Sequence, residues 1–265
     1  MKVGIYYSKN KSKNFVDAKN KFENLLFENK IEYFDIKMKN EIPDLLVVFG
    51  GDGTVLNIAQ FASENNLPII AVNVGTVGFL SSFEESEIEK AVDQIKDGKF
   101  TVVEKTTLEI ETSNGEKFFA LNDAVIERGK YGLNSHVVAK MQFYIEENFV
   151  YDLSADGIII STPTGSTAYS LSAGGVILSP ETRSFIATPI CSHSLNTRPI
   201  VYSDEKEVSI VIKDSSCGCV LCADGRAVKD VELGEKITVR KGVKPLKIVD
   251  YSENFIDRLK QKLGR

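Results

Sequence analysis

The chain predicts an α/β domain built on a parallel sheet, followed by a mainly β domain and a closing helix that packs back. Three observations carry this. Over residues 1–98, short apolar runs alternate with helix-length amphipathic segments. After Gly98 the texture changes to alternating β-branched and polar residues, broken by turn signals such as Asn114-Gly115. At the far end Phe255, Ile256, Leu259 and Leu263 recur at helical spacing. The boundaries drawn on this basis are 1–98 for the α/β domain, 99–250 for the β domain and 251–265 for the helix.

Taken in order, the expected strands of the first domain are Val3–Tyr7, Tyr33–Lys37, Leu45–Phe49 and Ile69–Asn73, each a short apolar or β-branched run. Helices are expected over Lys13–Asn29, Thr54–Glu64 and Glu85–Lys96, where apolar residues return every three or four positions. The third strand ends in Gly50-Gly51-Asp52-Gly53-Thr54 and feeds directly into a helix. That places the glycine turn at the carboxyl end of a strand, where open α/β sheets bind ligands. In the second domain Thr101–Thr112, Phe118–Glu127, Val137–Glu146 and Val208–Ile212 read as strands. No internal repeat or low-complexity linker interrupts the pattern.

Composition narrows the function classes. At 265 residues, with 43% hydrophobic and 26% charged residues and no long apolar run, the sequence reads as globular and offers no membrane span. Its start, Met1-Lys2-Val3-Gly4-Ile5-Tyr6-Tyr7, lacks the features of a signal peptide, so a cytoplasmic location is expected. Thirty-two basic residues against 37 acidic ones leave a net charge of −5 and no basic stripe, so nucleic acid is not expected as a partner. The run Cys217-Gly-Cys219-Val-Leu-Cys222, with Cys191 and His193, raises a metal question. These cysteines fall mostly in apolar β-like runs, and no second pair has zinc-ribbon spacing, so neither a metal site nor a disulfide is expected. Two histidines, His136 and His193, are too few for a hydrolytic triad or a zinc hydrolase centre.

The glycine turn carries the chemistry. Glycines on both sides of Asp52 let the backbone approach a ligand, so that phosphate oxygens can reach its N–H groups. The helix that follows adds orphan N–H donors and the positive end of its dipole. A carboxylate beside bound phosphates is repelled unless it takes a proton from a hydroxyl nucleophile or helps hold Mg²⁺, and both uses belong to phosphoryl transfer. The plainer alternative is an Asp-Gly turn that caps the helix. The turn lacks the Gly-Lys-Ser/Thr ending of a Walker A loop and does not match a G-x-G-x-x-G fingerprint.

Together, Gly50–Thr54, Asn122-Asp123 and Ser161-Thr162-Pro163-Thr164-Gly165-Ser166-Thr167-Ala168-Tyr169 resemble the NAD kinase family, in matching order across nearly the whole chain. Diacylglycerol kinases, sphingosine kinases and phosphofructokinases have similar glycine turns, whereas the hydroxyl-rich segment is more specific. The resemblance implies transfer of the γ-phosphoryl group of ATP, or of a polyphosphate, to the adenosine ribose 2′-hydroxyl of NAD, with Mg²⁺ riding on the donor. It gives Asp52 the role of base, with Gly51, Gly53 and Thr54 beside the ligand. It implies that Asn122 and Asp123 hold the ribose, although many members carry Glu where this chain has Asp123. Thr162 and the run Thr167, Ala168, Tyr169, Ser170, Leu171 and Ser172 are assigned to dinucleotide contacts. Asp156 matches an aspartate that meets the nicotinamide carboxamide, often across a subunit boundary, and Asp224 and Arg226 match a late motif.

Departures from the family pattern bear on specificity. Ser154 stands where arginine is common, Asn57 where a basic residue is frequent, and Arg226 where glutamine is frequent. A homodimer or homotetramer is implied by the resemblance alone, as is a site between the two domains. Two rivals stay open: a lipid or sugar kinase sharing only the glycine turn, and a dinucleotide sensor without turnover.

Overall fold

The structure, a computed structural model, describes residues 1–7, 12–39, 41–75, 78–129, 138–194, 196–214, 218–250 and 255–264. In chain order it runs β1 (Lys2–Tyr7), α1 (Lys13–Glu28), β2 (Glu32–Asp35), β3 (Leu45–Phe49), α2 (Asp52–Glu64), β4 (Pro68–Asn73), β5 (Phe83–Glu84), α3 (Ile88–Asp97) and β6 (Thr101–Lys105). There follow β7 (Leu108–Thr112), β8 (Lys117–Ala120), β9 (Asp123–Arg128), β10 (Ala139–Ile145), β11 (Asn148–Ala155), β12 (Gly157–Ser161), α4 (Tyr169–Ser172), β13 (Ser184–Ile190) and β14 (Ile200–Ser203). The last elements are β15 (Val208–Asp214), β16 (Cys219–Ala223), β17 (Arg226–Val231), β18 (Lys236–Lys241), β19 (Leu246–Asp250) and α5 (Phe255–Leu263).

The chain forms two compact units, Met1–Lys105 with Lys244–Arg265, and Thr106–Val243. In the first, the described strands lie in the order β2-β1-β3-β4-β19-β6, with β5 beside β4, and β1 through β5 pair in parallel. All five residues of β3 are buried, as a central parallel strand covered on both faces requires. Ser12 caps helix α1, its hydroxyl accepting from the Phe15 N–H, and the helix buries Phe15, Ala18, Phe22 and Leu26 along one stripe. Helix α3 buries Ile88, Ala91, Val92 and Ile95 and stops at Gly98, which takes the left-handed conformation.

The second unit holds two antiparallel sheets, β11-β10-β15-β18-β7-β8 and β14-β13-β12-β9-β16-β17. One core draws on both, with Ile110, Phe143 and Ile210 from the first sheet and Ile158, Phe185 and Leu221 from the second. No helix among the described residues is long and apolar enough to cross a membrane.

The observed elements depart from the sequence reading in several places. The run expected as Phe118–Glu127 is two strands, β8 and β9, which lie in different sheets of the second unit. The run expected as Thr101–Thr112 is two strands: β6 closes the first sheet and β7 joins the second unit. Strand β19 lies between β4 and β6, so residues near 250 return to the first unit rather than ending the β domain. Helix α2 begins at Asp52, two residues before the expected start, because Gly51 already occupies the N-cap position. His136, Cys217 and the first residue of the expected Val137–Glu146 strand lie outside the described residues.

Candidate active site

Strand β3 is flanked by β1 and β4, with Phe49 in register with Tyr7 and Val72, so the glycine turn leaves the middle of the parallel sheet. Gly50 has φ +141°, and its N–H donates to Val72 O (3.0 Å). A Cβ on Gly50 would fall 2.9 Å from Thr54 Cβ, so conformation and space both require glycine there. Gly51 caps α2 through its carbonyl, which accepts from the Thr54 N–H (2.8 Å). Gly51 and Gly53 face open space, since an added Cβ at either would meet nothing within 4 Å.

Asp52 opens α2 but does not cap it. Its Oδ2 accepts from the Phe79 N–H (3.0 Å) and its Oδ1 from the Leu80 N–H (3.0 Å), both donors belonging to the turn after β4. A carboxylate in the first turn of a helix also meets the favourable end of the dipole. Gly78 lies against it: a Cβ on Gly78 would come 2.9 Å from Asp52 Cγ. The sequence reading missed this second turn. Its signal was Gly75 and Gly78 following an apolar strand, the same signature as Gly50–Gly53 one strand away. Gly75 has φ +130°, a conformation that favours glycine.

In the second unit, β9 lies between β12 and β16, and Asp123 pairs with Ser161. Asp224, in a left-handed conformation just after β16, accepts from the backbone N–H groups of Leu121 (2.9 Å), Asn122 (2.7 Å) and Asp123 (3.3 Å). It therefore fixes the loop that presents Asn122 and Asp123. Asp123 is buried, and that burial, followed by the neighbouring Asp224 charge, pushes its carboxyl up to about 7. Burial also raises Asp224, against the lowering effect of its three backbone donors. Asn122 Oδ1 is buried without a hydrogen-bond partner among the described residues, the state of a group placed for a ligand or a water.

The Ser161–Ser172 segment divides into inner and outer hydroxyls. Thr162 is fully buried, donates to Leu121 O (2.7 Å) and accepts from the Gly165 N–H (3.1 Å). Ser170 is buried against the Thr188 hydroxyl (2.8 Å), and Ser166 donates to Pro163 O (2.7 Å). These side chains hold the loop. Gly165 passes so close to Asn122 that a Cβ would fall 2.7 Å from Asn122 Cα, which locks the segment onto the Asn122–Asp123 loop. Thr167, Ala168 and Leu171 are half-buried, while Tyr169 and Ser172 are exposed, so the outer face belongs to this group. Partial burial, then the charges of Glu127, Cys191 and Asp156, raises the Tyr169 hydroxyl.

Asp156 pairs with Arg128 (3.2 Å), and Arg226 is exposed at the start of β17. The His193 N–H donates to Ser154 O (2.9 Å). Among the described residues no group of three or more His, Cys, Asp or Glu side chains is placed to hold a metal ion. Cys191 is exposed, whereas Cys219 and Cys222 are buried, and burial pushes the Cys222 thiol up to about 11.

Known proteins converge on the same reading. The ATP-NAD kinase N-terminal domain family matches residues 5–100, and the ATP-NAD kinase C-terminal domain family matches residues 121–251. An NAD kinase of Carboxydothermus hydrogenoformans is 36% identical over 238 residues, covering 88% of this chain and 84% of that protein. One from Caldicellulosiruptor saccharolyticus is 34% identical over 269 residues, covering 99% of each chain. The crystal structure of yeast NADH kinase complexed with NADH superposes with a TM-score of 0.87 at 29% identity, covering 99% of this chain and 87% of that one. Two matched domain families and relatives aligned over nearly the full length establish that this chain belongs to the NAD kinase family.

Proposed function

We propose that the protein transfers the γ-phosphoryl group of ATP to the 2′-hydroxyl of the adenosine ribose of NAD, producing NADP and ADP. The observation that carries this is the Asp52 carboxylate, held by the Phe79 and Leu80 N–H groups at the start of α2 beside the open glycines 51 and 53. A fixed carboxylate orients the ribose hydroxyl and takes its proton as the new O–P bond forms. The bond between the γ-phosphorus and its bridging oxygen breaks, and the electron pair leaves on ADP. Gly51, Gly53 and Thr54 offer backbone donors to the phosphates, the role that the helix N-terminus favours.

The second unit supplies the dinucleotide contacts. Asn122 and Asp123 take the ribose, and Thr167, Ala168, Tyr169, Leu171 and Ser172 form the wall beside it, Tyr169 through its exposed ring, while the buried Ser170 supports that wall from behind through Thr188. Thr162 and Asp224 serve by fixing the loops, and Asp156 and Arg226 contribute to specificity. Mg²⁺ enters as part of the MgATP substrate and neutralises charge on the transferring phosphates. Polyphosphate is the alternative donor. A homodimer or homotetramer in the cytoplasm completes the reading, with Asp156 working at a subunit boundary.

Incubating the protein with Mg²⁺, NAD and ATP, and assaying for NADP, tests the reading. NADP formation is the expected result. NAD binding without product would favour a sensor over an enzyme. Asp52→Asn should lower kcat by orders of magnitude while NAD still binds, and a mutant near the wild-type rate would remove the base.

A further inference from the structure

The closing helix reaches the segment whose backbone holds Asp52. Phe255, Arg258 and Lys262 lie three and four residues apart and therefore share one face of α5. All three meet Phe79. The Phe255 and Phe79 rings are 6.4 Å apart between centroids, Lys262 Nζ stands 5.7 Å from the Phe79 centroid, and Arg258 Nη1 donates to Phe79 O (3.0 Å). That carbonyl and the Leu80 N–H belong to one amide, and the Leu80 N–H is the donor to Asp52 Oδ1. A guanidinium on the oxygen side of an amide polarises it and strengthens the N–H on the other side.

We infer that Arg258 is a positioning residue for phosphoryl transfer, holding the Asp52 carboxylate through the single peptide group that joins Phe79 to Leu80. The inference rests on the reading of Asp52 as the base. Gly78 gives this arrangement its need, because it puts no side chain of its own beside the carboxylate, and among the described residues the hydrogen bonds to Asp52 come from backbone donors. Arg258 keeps the donor amide in place from behind, and Phe255 and Lys262 hold the Phe79 ring that carries it.

Steady-state kinetics on the full chain tests this with Arg258→Met, which keeps the aliphatic stem, and Arg258→Lys, which keeps a cationic donor. Arg258→Met should lower kcat by about tenfold, the effect of little more than one strong hydrogen bond, and leave KM for ATP and NAD within about twofold. Arg258→Lys should recover most of the loss. In an Asp52→Asn background, Arg258→Met should change kcat by less than about twofold, since the group it positions is gone. An unchanged kcat in Arg258→Met, a rise in KM alone, no recovery in Arg258→Lys, or an undiminished tenfold effect in the Asp52→Asn background would each overturn the inference. These outcomes leave the base reading intact when Asp52→Asn is slow. A fast Asp52→Asn enzyme removes the base itself, and with it the route from Arg258.

Discussion

Gly78 packs against the carboxylate of Asp52 so closely that any side chain there would displace it: an added Cβ would fall 2.9 Å from Asp52 Cγ, and nearer still to Oδ1. Because the obstacle is the free end of a side chain rather than backbone, Gly78→Ala should fold and move Asp52 instead. On the proposal that Asp52 is the base, its displacement by about 1 Å costs on the order of 10²-fold, so kcat should fall by about that much with little change in Tm. Thermal melting alongside the NADP assay checks both halves.

Gly53→Ala should separate structure from ligand binding. The added methyl meets nothing within 4 Å, and Gly53 lies in the first turn of α2. Alanine is about 1 kcal/mol better than glycine within a helix, so stability should hold or rise slightly. If donor phosphates approach this backbone, KM for ATP should rise several-fold. A variant with normal stability and normal KM would show that the phosphates lie elsewhere.

Gly165→Ala should behave in the opposite way. Its Cβ would meet the backbone of Asn122, 2.7 Å from Cα, which cannot step aside as a side chain can. Overpacking of this kind costs about 1–3 kcal/mol, so the denaturation midpoint should fall. Weaker NAD binding should follow from the displaced Asn122–Asp123 loop.

Asp123 gives a pH signature. Its carboxyl, near 3.8 in an unfolded chain, is raised to about 7 in the folded protein, so between those values the folded state holds a proton that the unfolded state lacks. Stability should therefore decline as pH rises from about 4 to about 7 through this group, and level off above it. Asp123→Asn should flatten that decline in denaturant titrations run at pH 5 and pH 8. An unaltered slope would show that the burial of Asp123 is not what couples folding to pH.

Asp52 is legible in the sequence because glycines around an aspartate at a strand end have few structural uses. What holds it is not, because the Phe79 and Leu80 donors are backbone groups and any residue type could supply them. Only Gly75 and Gly78 hinted at the second turn. The run of hydroxyls at Ser161–Thr167 signals a special loop, yet sequence does not separate Thr162, spent on Leu121 O, from Thr167 on the outer side. Asp224 is visible as an Asp-Gly turn, but its bonds to residues 121–123 span about a hundred positions and leave no local trace. The alternation of β strands is readable in runs such as Val208–Ile212, but it does not show where Thr101–Thr112 and Phe118–Glu127 each break into two strands of different sheets. Nor does it show the membership of β6 and β19 in the first sheet, since strand pairing is settled by partners far away in the chain.

That placement of β19 governs how the protein is made. Ile69 pairs with Ile248, so the strand that joins β4 to β6 leaves the ribosome only after the whole second unit has been synthesised. Until then β6 and the start of β4, at Pro68 and Ile69, lack their β19 partner, and the glycine turn of Asp52 sits in an unfinished sheet. The second unit, contiguous from Thr106 to Val243, has all its described strand partners within itself and is free to fold first. Activity should therefore appear late in refolding, after the strands of the second unit have formed, and the slow step should be the closing of a long-range pairing.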